Sequence, residues 1–209
     1  MSKQPTGRVR QHQAQAQTGA PRAGLLGGLF WVIGWAAIFA AVIQIARPPD
    51  DVPAPLAPGV GEVPAFAEDF EGAAKGSRRL IYQEQAVNAF LQNRLKASKG
   101  PLPASIARFE RAFVNLETGK VRLTKEYRLL GYPIYVAGYF EPSLSNGAFR
   151  INTERGAIGR LPIDALIFDR IDTWLFSEFV EGLSPERAAL EKMKRVIIRP
   201  GEAVVVSKS

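Results

Sequence analysis

The sequence has no cysteine and a single histidine, His12. Without cysteine neither a disulfide nor a thiolate metal site can form, so whatever folds must hold together by packing alone. With no thiol and no imidazole beyond residue 12, a nucleophilic triad of the usual kind cannot be assembled downstream. Acid is missing from residues 1–23, which carry Lys3, Arg8, Arg10 and Arg22. Charge of either sign is missing from Leu25–Ala46, where Gln44 is the one polar side chain.

That uncharged run is what the rest of the chain is organised around. At about 1.5 Å per residue its 22 residues make a helix of roughly 33 Å, enough to cross a hydrocarbon core of about 30 Å. A helix apolar on every side suits lipid better than water. The competing reading is a cleavable signal peptide. The run exceeds the ~7–15 residues of a signal core, and Gln44-Ile45-Ala46 offers no small-x-small cleavage triplet. The expectation is therefore one retained transmembrane helix over 24–46. The basic flank before it stays in the cytoplasm by the positive-inside rule, which places everything after Ala46 outside the cytoplasmic (inner) membrane. Gly27, Gly34 and Ala41 recur every seven residues, a stripe along which two such helices could approach as a weak homodimer.

The flanks divide the chain further. Residues 1–23 read as a disordered basic cytoplasmic tail, rich in glutamine and alanine. Residues 47–77 read as a Pro/Ala/Gly-rich acidic linker, expected to act as a semi-stiff spacer that holds the domain off the bilayer. Within it Phe66 and Phe70 mark a short docking helix. Residues 78–209 form the extracytoplasmic domain, of a size that supports one hydrophobic core. The net charge of +7 splits into +4 for 1–23, −4 for 47–77 and +7 for 78–209. A basic domain beside a membrane suits anionic lipid or a polyanionic wall polymer, while the inferred topology excludes nucleic acid as a partner.

Inside the domain, Arg79–Tyr82 reads as a short strand or the approach to a helix, and Gln83–Ala97 as a helix ended by Gly100, Pro101 and Pro103. Ile106–Leu116, Val121–Leu129 and Tyr132–Glu141 read as strands. A fourth through Phe149, Ile151 and Thr153 follows the Asn146-Gly147 turn. Such short connections make an antiparallel meander, and the third strand, apolar on both faces, belongs at its centre. A second helix is expected over Ile163–Val180, with Pro162 at its start. Ile163, Ile167, Phe168, Ile171, Trp174, Leu175 and Phe179 fill an arc of roughly 160° on its wheel, with Leu166, Phe176 and Val180 outside it. So wide an arc asks for a curved sheet around the helix or a ligand against it. Ser184-Pro185 then reads as an N-cap opening a helix to Arg195, and Val196–Val206 as a closing hairpin about Pro200-Gly201.

The chemistry available to this domain is thin. Asp164, Asp169 and Asp172 cluster on the second helix, where helix-start electrostatics and solvation explain them better than a metal or acid–base pair. Ser184 with Lys192 makes a poor serine–lysine pair, because the serine already has a capping role. Gly156 and Gly159 lack the spacing and the Lys-Ser/Thr of a phosphate loop. Tyr132, Tyr135 and Tyr139 on alternate strand positions read as cross-strand partners before they read as a ligand surface. No catalytic, metal or cofactor residue is assigned.

Three stretches together resemble the YpmS-like proteins, single-pass bacterial membrane proteins with one extracytoplasmic domain. They are Gln85-Ala86-Val87-Asn88-Ala89-Phe90-Leu91, Tyr139-Phe140-Glu141-Pro142 with Asn146-Gly147, and Ile158-Gly159-Arg160-Leu161-Pro162 before an apolar helix. The resemblance implies a location and a build, not a reaction. The expected fold is α+β, a curved antiparallel β-sheet meander with an apolar helix packed on it, preceded by one transmembrane helix. The expected role is a non-enzymatic envelope domain that binds a lipid or apolar ligand, with Phe168, Trp174, Phe176, Phe179, Tyr135 and Tyr139 in contact with it. The alternative is a scaffold that interacts with other envelope proteins. A cavity between the second helix and the sheet favours the first; a filled core favours the second.

Overall fold

The computed structural model describes residues 22–55, 63–76, 78–95, 106–145 and 147–208. The chain divides into two compact units, Met1–Phe39 and Ala40–Ser209. Helix α1, Arg22–Ala46, begins in the first and ends in the second. Its Leu29–Ala46 stretch is long and apolar enough to cross a membrane. In the first unit Trp31 meets Trp35 edge-on and Trp35 meets Phe39 at a tilt, with ring centroids 5.6 and 6.0 Å apart.

The second unit is α+β with antiparallel sheets. Strands β2 (Ala107–Glu117), β3 (Lys120–Leu129), β4 (Tyr132–Ser145), β5 (Ala148–Ile158) and β6 (Leu161–Ile163) pair in sequence order. They form the meander expected from the short turns, with β4 at its centre. Gly119, Gly131 and Gly147 adopt positive φ at three of the turns, where the missing Cβ lets the chain reverse within two or three residues. A second sheet takes its strands from both ends of the domain: β1 (Arg79–Gln83) pairs with β8 (Glu202–Ser207), which pairs with β7 (Met193–Arg199). Two backbone bonds of 3.0 Å tie the sheets together, Gly119 N–H to Ile198 O and Gly201 N–H to Leu116 O. The five-stranded sheet is open and not strongly curled, so the expected curvature reduces to bulges at Phe109/Arg111 and Tyr139/Phe140.

Helix α4, Ala165–Gly182, packs on one face of the large sheet. Phe168, Leu175 and Phe176 from α4 share a core with Val114, Leu123 and Val136. The register sets Gly138 of β4 opposite Gly156 of β5. The Phe168 ring fills the space those two missing side chains leave, and a Cβ on Gly156 would overlap it. From β3, the buried Lys125 donates to Leu175 O at 2.6 Å and lies over the Phe176 ring. Helix α3, Glu84–Arg94, closes the β2 side. Its buried Asn88 donates to Val114 O at 3.0 Å and accepts from Val114 N–H at 2.6 Å, while Glu84 accepts from Leu116 N–H at 2.7 Å. Short α2, Phe66–Ala74, docks as its two phenylalanines foretell. Phe66, Phe70 and Ala73 are buried against Met193, Val205 and Ala189 of α5 (Ser184–Leu190), and Tyr82 donates to Asp69 Oδ2 at 2.9 Å.

Several elements differ from expectation. Pro162 lies in β6, opposite Ala157, not in the first turn of a helix. An edge strand tolerates the lost donor, and α4 starts three residues later behind Asp164. Asp164 Oδ1 accepts from Leu166 N–H at 2.9 Å, the local bond of a residue at a helix start. The buried face of α4 is rotated from the expected arc. Phe176, placed on the polar side, is in the core, whereas Ile167 is 60% exposed. Ser184 is the first residue of α5 and caps nothing; Leu183 takes the N-cap position without a side-chain bond. That helix ends at Leu190, because Met193–Arg199 is recruited as β7. Helix α3 ends at Arg94, and Ala97 lies outside the described residues.

Candidate functional site

The large sheet has a second face, turned away from α4, and polar side chains gather there. The alternation of β3 puts Leu123 and Lys125 toward the helix and therefore Arg122, Thr124 and Glu126 on the opposite side. Arg111 of β2, Tyr135 and Tyr139 of β4, and Arg155 of β5 join them. Arg111 and Glu126, both half-buried, pair at 2.7 Å. Burial, and secondarily Glu126, raises the Tyr135 phenol above its usual range. At the β2–β3 margin Arg108, with Arg128 second, holds Glu110 below the usual carboxylate range. Lys120 does the same for Glu154.

The segment that leaves α1 lies across this face. Arg160, in the turn between β5 and β6, donates from its backbone N–H to Gln44 O at 2.8 Å and from Nε to Pro48 O at 2.8 Å, and it pairs with Asp50. Asp51 pairs with Arg122, and Arg111 donates to Pro53 O at 2.9 Å. The close approach requires Gly159, at φ +58°, because a Cβ there would run into the carbonyls of Gln44 and Ile45. Residues 48–53, part of the expected semi-stiff spacer, are therefore bonded to the domain along its sheet. Their two aspartates meet arginines that the sheet presents at matching positions.

Between this strap and the sheet is a cleft of about 450 Å³. Arg122, Arg155, Arg160 and Tyr139 line it on the sheet side, with Asp50 and Asp51 opposite. Tyr139 lies between two guanidiniums, 4.5 Å from Arg155 and 5.8 Å from Arg122 by ring centroid, in the geometry of cation–π contact. Arg122 is 11% exposed, and its Nε has no hydrogen-bond partner among the described residues. Arg155 is exposed and makes no ion pair among them.

Of the six residues expected to touch one apolar ligand, the four whose side chains are described do not converge. Phe168 and Phe176 are buried in the core beneath α4. Tyr135 and Tyr139 are on the far face of the sheet, and of the two Tyr139 lines the cleft. The side chains of Trp174 and Phe179 lie outside the described residues. Tyr132 is 75% exposed at the start of β4. Of the acids on α4, Asp164 marks the helix start and Asp172 accepts from Thr153 Oγ1 at 2.8 Å. Lys192 pairs with Glu71 at 3.1 Å, not with Ser184. In sequence Arg122 was visible only as part of the polar half of an alternating strand, and Arg160 only as part of the Ile158–Pro162 stretch. Nothing local marked them as converging on Asp50 and Asp51. No protein-family model matches this chain, and no curated protein matches it.

Proposed function

We propose that this protein is a membrane-anchored, non-enzymatic domain that serves as an interaction platform for another envelope protein. The observation that carries this reading is where the apolar surface of α4 lies. Its inner side closes a filled core, whereas Leu166 and Ile167 stand 80% and 60% exposed at its first turn. An apolar ligand would need room between α4 and the sheet, and Phe168 occupies it. Exposed apolar side chains beside polar ones suit a protein contact. Anchoring through α1 with the domain on the extracytoplasmic side belongs to the same proposal, supported by the uncharged run and the basic flank before it. Pairing of two anchors along Gly27, Gly34 and Ala41 also belongs to it, as does a gentle bend of the large sheet at its bulges. So does the YpmS-like build, which rests on the motifs in α3, β4 and the β5–β6 turn.

The test is a photo-crosslinking residue at Leu166 or Ile167 in intact membranes. One adduct of defined mass is expected, lost when the neighbouring position is changed to aspartate. Recovery of background neighbours alone overturns the platform reading. A reporter fused to the C-terminus and active only in the cytosol overturns the topology.

A further inference from the structure

The geometry of the strap cleft points to a binding site for a phosphate group, for which Asp50 and Asp51 act as built-in competitors. Guanidinium forks recognise carboxylate and phosphate with the same planar pairs of donors. Arg160 and Arg122 are each engaged by a carboxylate of the strap, so the sheet already displays two anion-binding forks at work. Arg155 supplies a third guanidinium, held over Tyr139 and paired with neither strap aspartate. With the strap in place, three cations face two anions. An incoming phosphate adds charge to the side that is short of it, and a dianion displacing one aspartate exchanges a weaker partner for a stronger one. Ala157, Pro162 and Pro49 complete the lining with small apolar surfaces suited to the carbon skeleton of a phosphate ester.

A phospholipid headgroup and a soluble phosphate ester share this chemistry. The headgroup is favoured by sequence position. Asp51 is five residues past Ala46, the end of the apolar helix, which keeps the ion-paired part of the strap within about 18 Å of chain from it. This choice of source rests on α1 spanning the bilayer; the cleft itself does not.

The experiment uses the full chain in phosphatidylcholine nanodiscs, with and without phosphatidic acid, and in separate samples with inorganic phosphate or glycerol 3-phosphate. Native mass spectrometry counts retained lipid, and calorimetry follows the soluble ions. One phosphatidic acid per chain is expected, retained at least tenfold over phosphatidylcholine and lost in Arg155→Gln, a variant that leaves both strap ion pairs intact. Arg195→Gln, at an exposed position of β7, controls for overall charge and is expected to behave as wild type. Asp51→Asn is expected to tighten binding at least threefold, an effect that a purely structural strap does not produce. Binding of the soluble ions that Arg155→Gln abolishes, without selective lipid retention, supports the cleft and reassigns its ligand to a soluble ester. Equal retention of both lipids together with no Arg155-dependent ion binding overturns the proposal, as does an Asp51→Asn variant that binds more weakly.

Discussion

A methyl group added to Gly156 tests the packing of α4 most directly. The Cβ of alanine there would overlap the Phe168 ring, which is fully buried and backed by Phe176 with ring centroids 6.1 Å apart. The ring cannot swing aside without displacing a second aromatic, so Gly156→Ala is expected near the upper end of the ~1–3 kcal/mol typical of overpacking. Phe168→Ala removes the obstacle but opens a void, at about 3–5 kcal/mol. In the double variant the clash is gone and the new methyl takes up part of that void. Its stability should therefore match or exceed that of Phe168→Ala alone, which makes the coupling about 2 kcal/mol or more, within the range seen for touching residues. Urea unfolding of the full chain in mild detergent, followed by near-ultraviolet circular dichroism, measures all four corners. Additivity within about 0.5 kcal/mol would refute the claim that the paired glycines exist to seat this ring.

Other consequences follow from single bonds. Asn88→Ala strands the buried N–H and C=O of Val114, so a loss of about 3 kcal/mol is expected in the same assay, and a loss below about 1 kcal/mol would mean water replaces the amide. Asp164→Ala removes the acceptor at the start of α4 and should cost about 1 kcal/mol, with Asp164→Asn nearly neutral. Burial first, and then its bond to Asp69, raises the Tyr82 phenol well above the usual tyrosine value of about 10. The stability this contributes is complete below pH 10 and declines as the pH climbs above it, because the unfolded chain gives up its proton first. Tyr82→Phe should therefore flatten the alkaline limb of the stability curve above pH 10; an unchanged slope there would show that Tyr82 does not carry it.

The parts of the fold written in local pattern were legible, and those that depend on distant partners were not. Alternation in Val121–Leu129 and the turn at Asn146-Gly147 specify the meander, because both signals act within a few residues. Phe66 and Phe70 foretold a docked helix, since an amphipathic turn has little other reason for two phenylalanines. The rotation of α4 was illegible, because it depends on two glycines in different strands meeting across the sheet. A wheel counts apolar residues but cannot know where the opposite surface is hollow. The same holds for the strap. Proline content speaks to the stiffness of residues 48–53 and not to their docking, which is set by arginines about 60 to 110 positions away. Ser184 was misread for a simpler reason, in that a serine before proline satisfies the capping pattern one residue late as well as on time.

The amide of Asn88 imitates a neighbouring strand, offering β2 a donor and an acceptor at the spacing a backbone would use, and Glu84 extends the imitation by one residue pair. At the opposite margin Pro162 offers no donor to anything that might align there. The outer edge of the meander is thus capped at Val114–Leu116 on one side and along the three residues of β6 on the other. At those positions an extended peptide gains little by pairing with the backbone. Recognition there is left to side chains, which ties its specificity to a handful of substitutable positions.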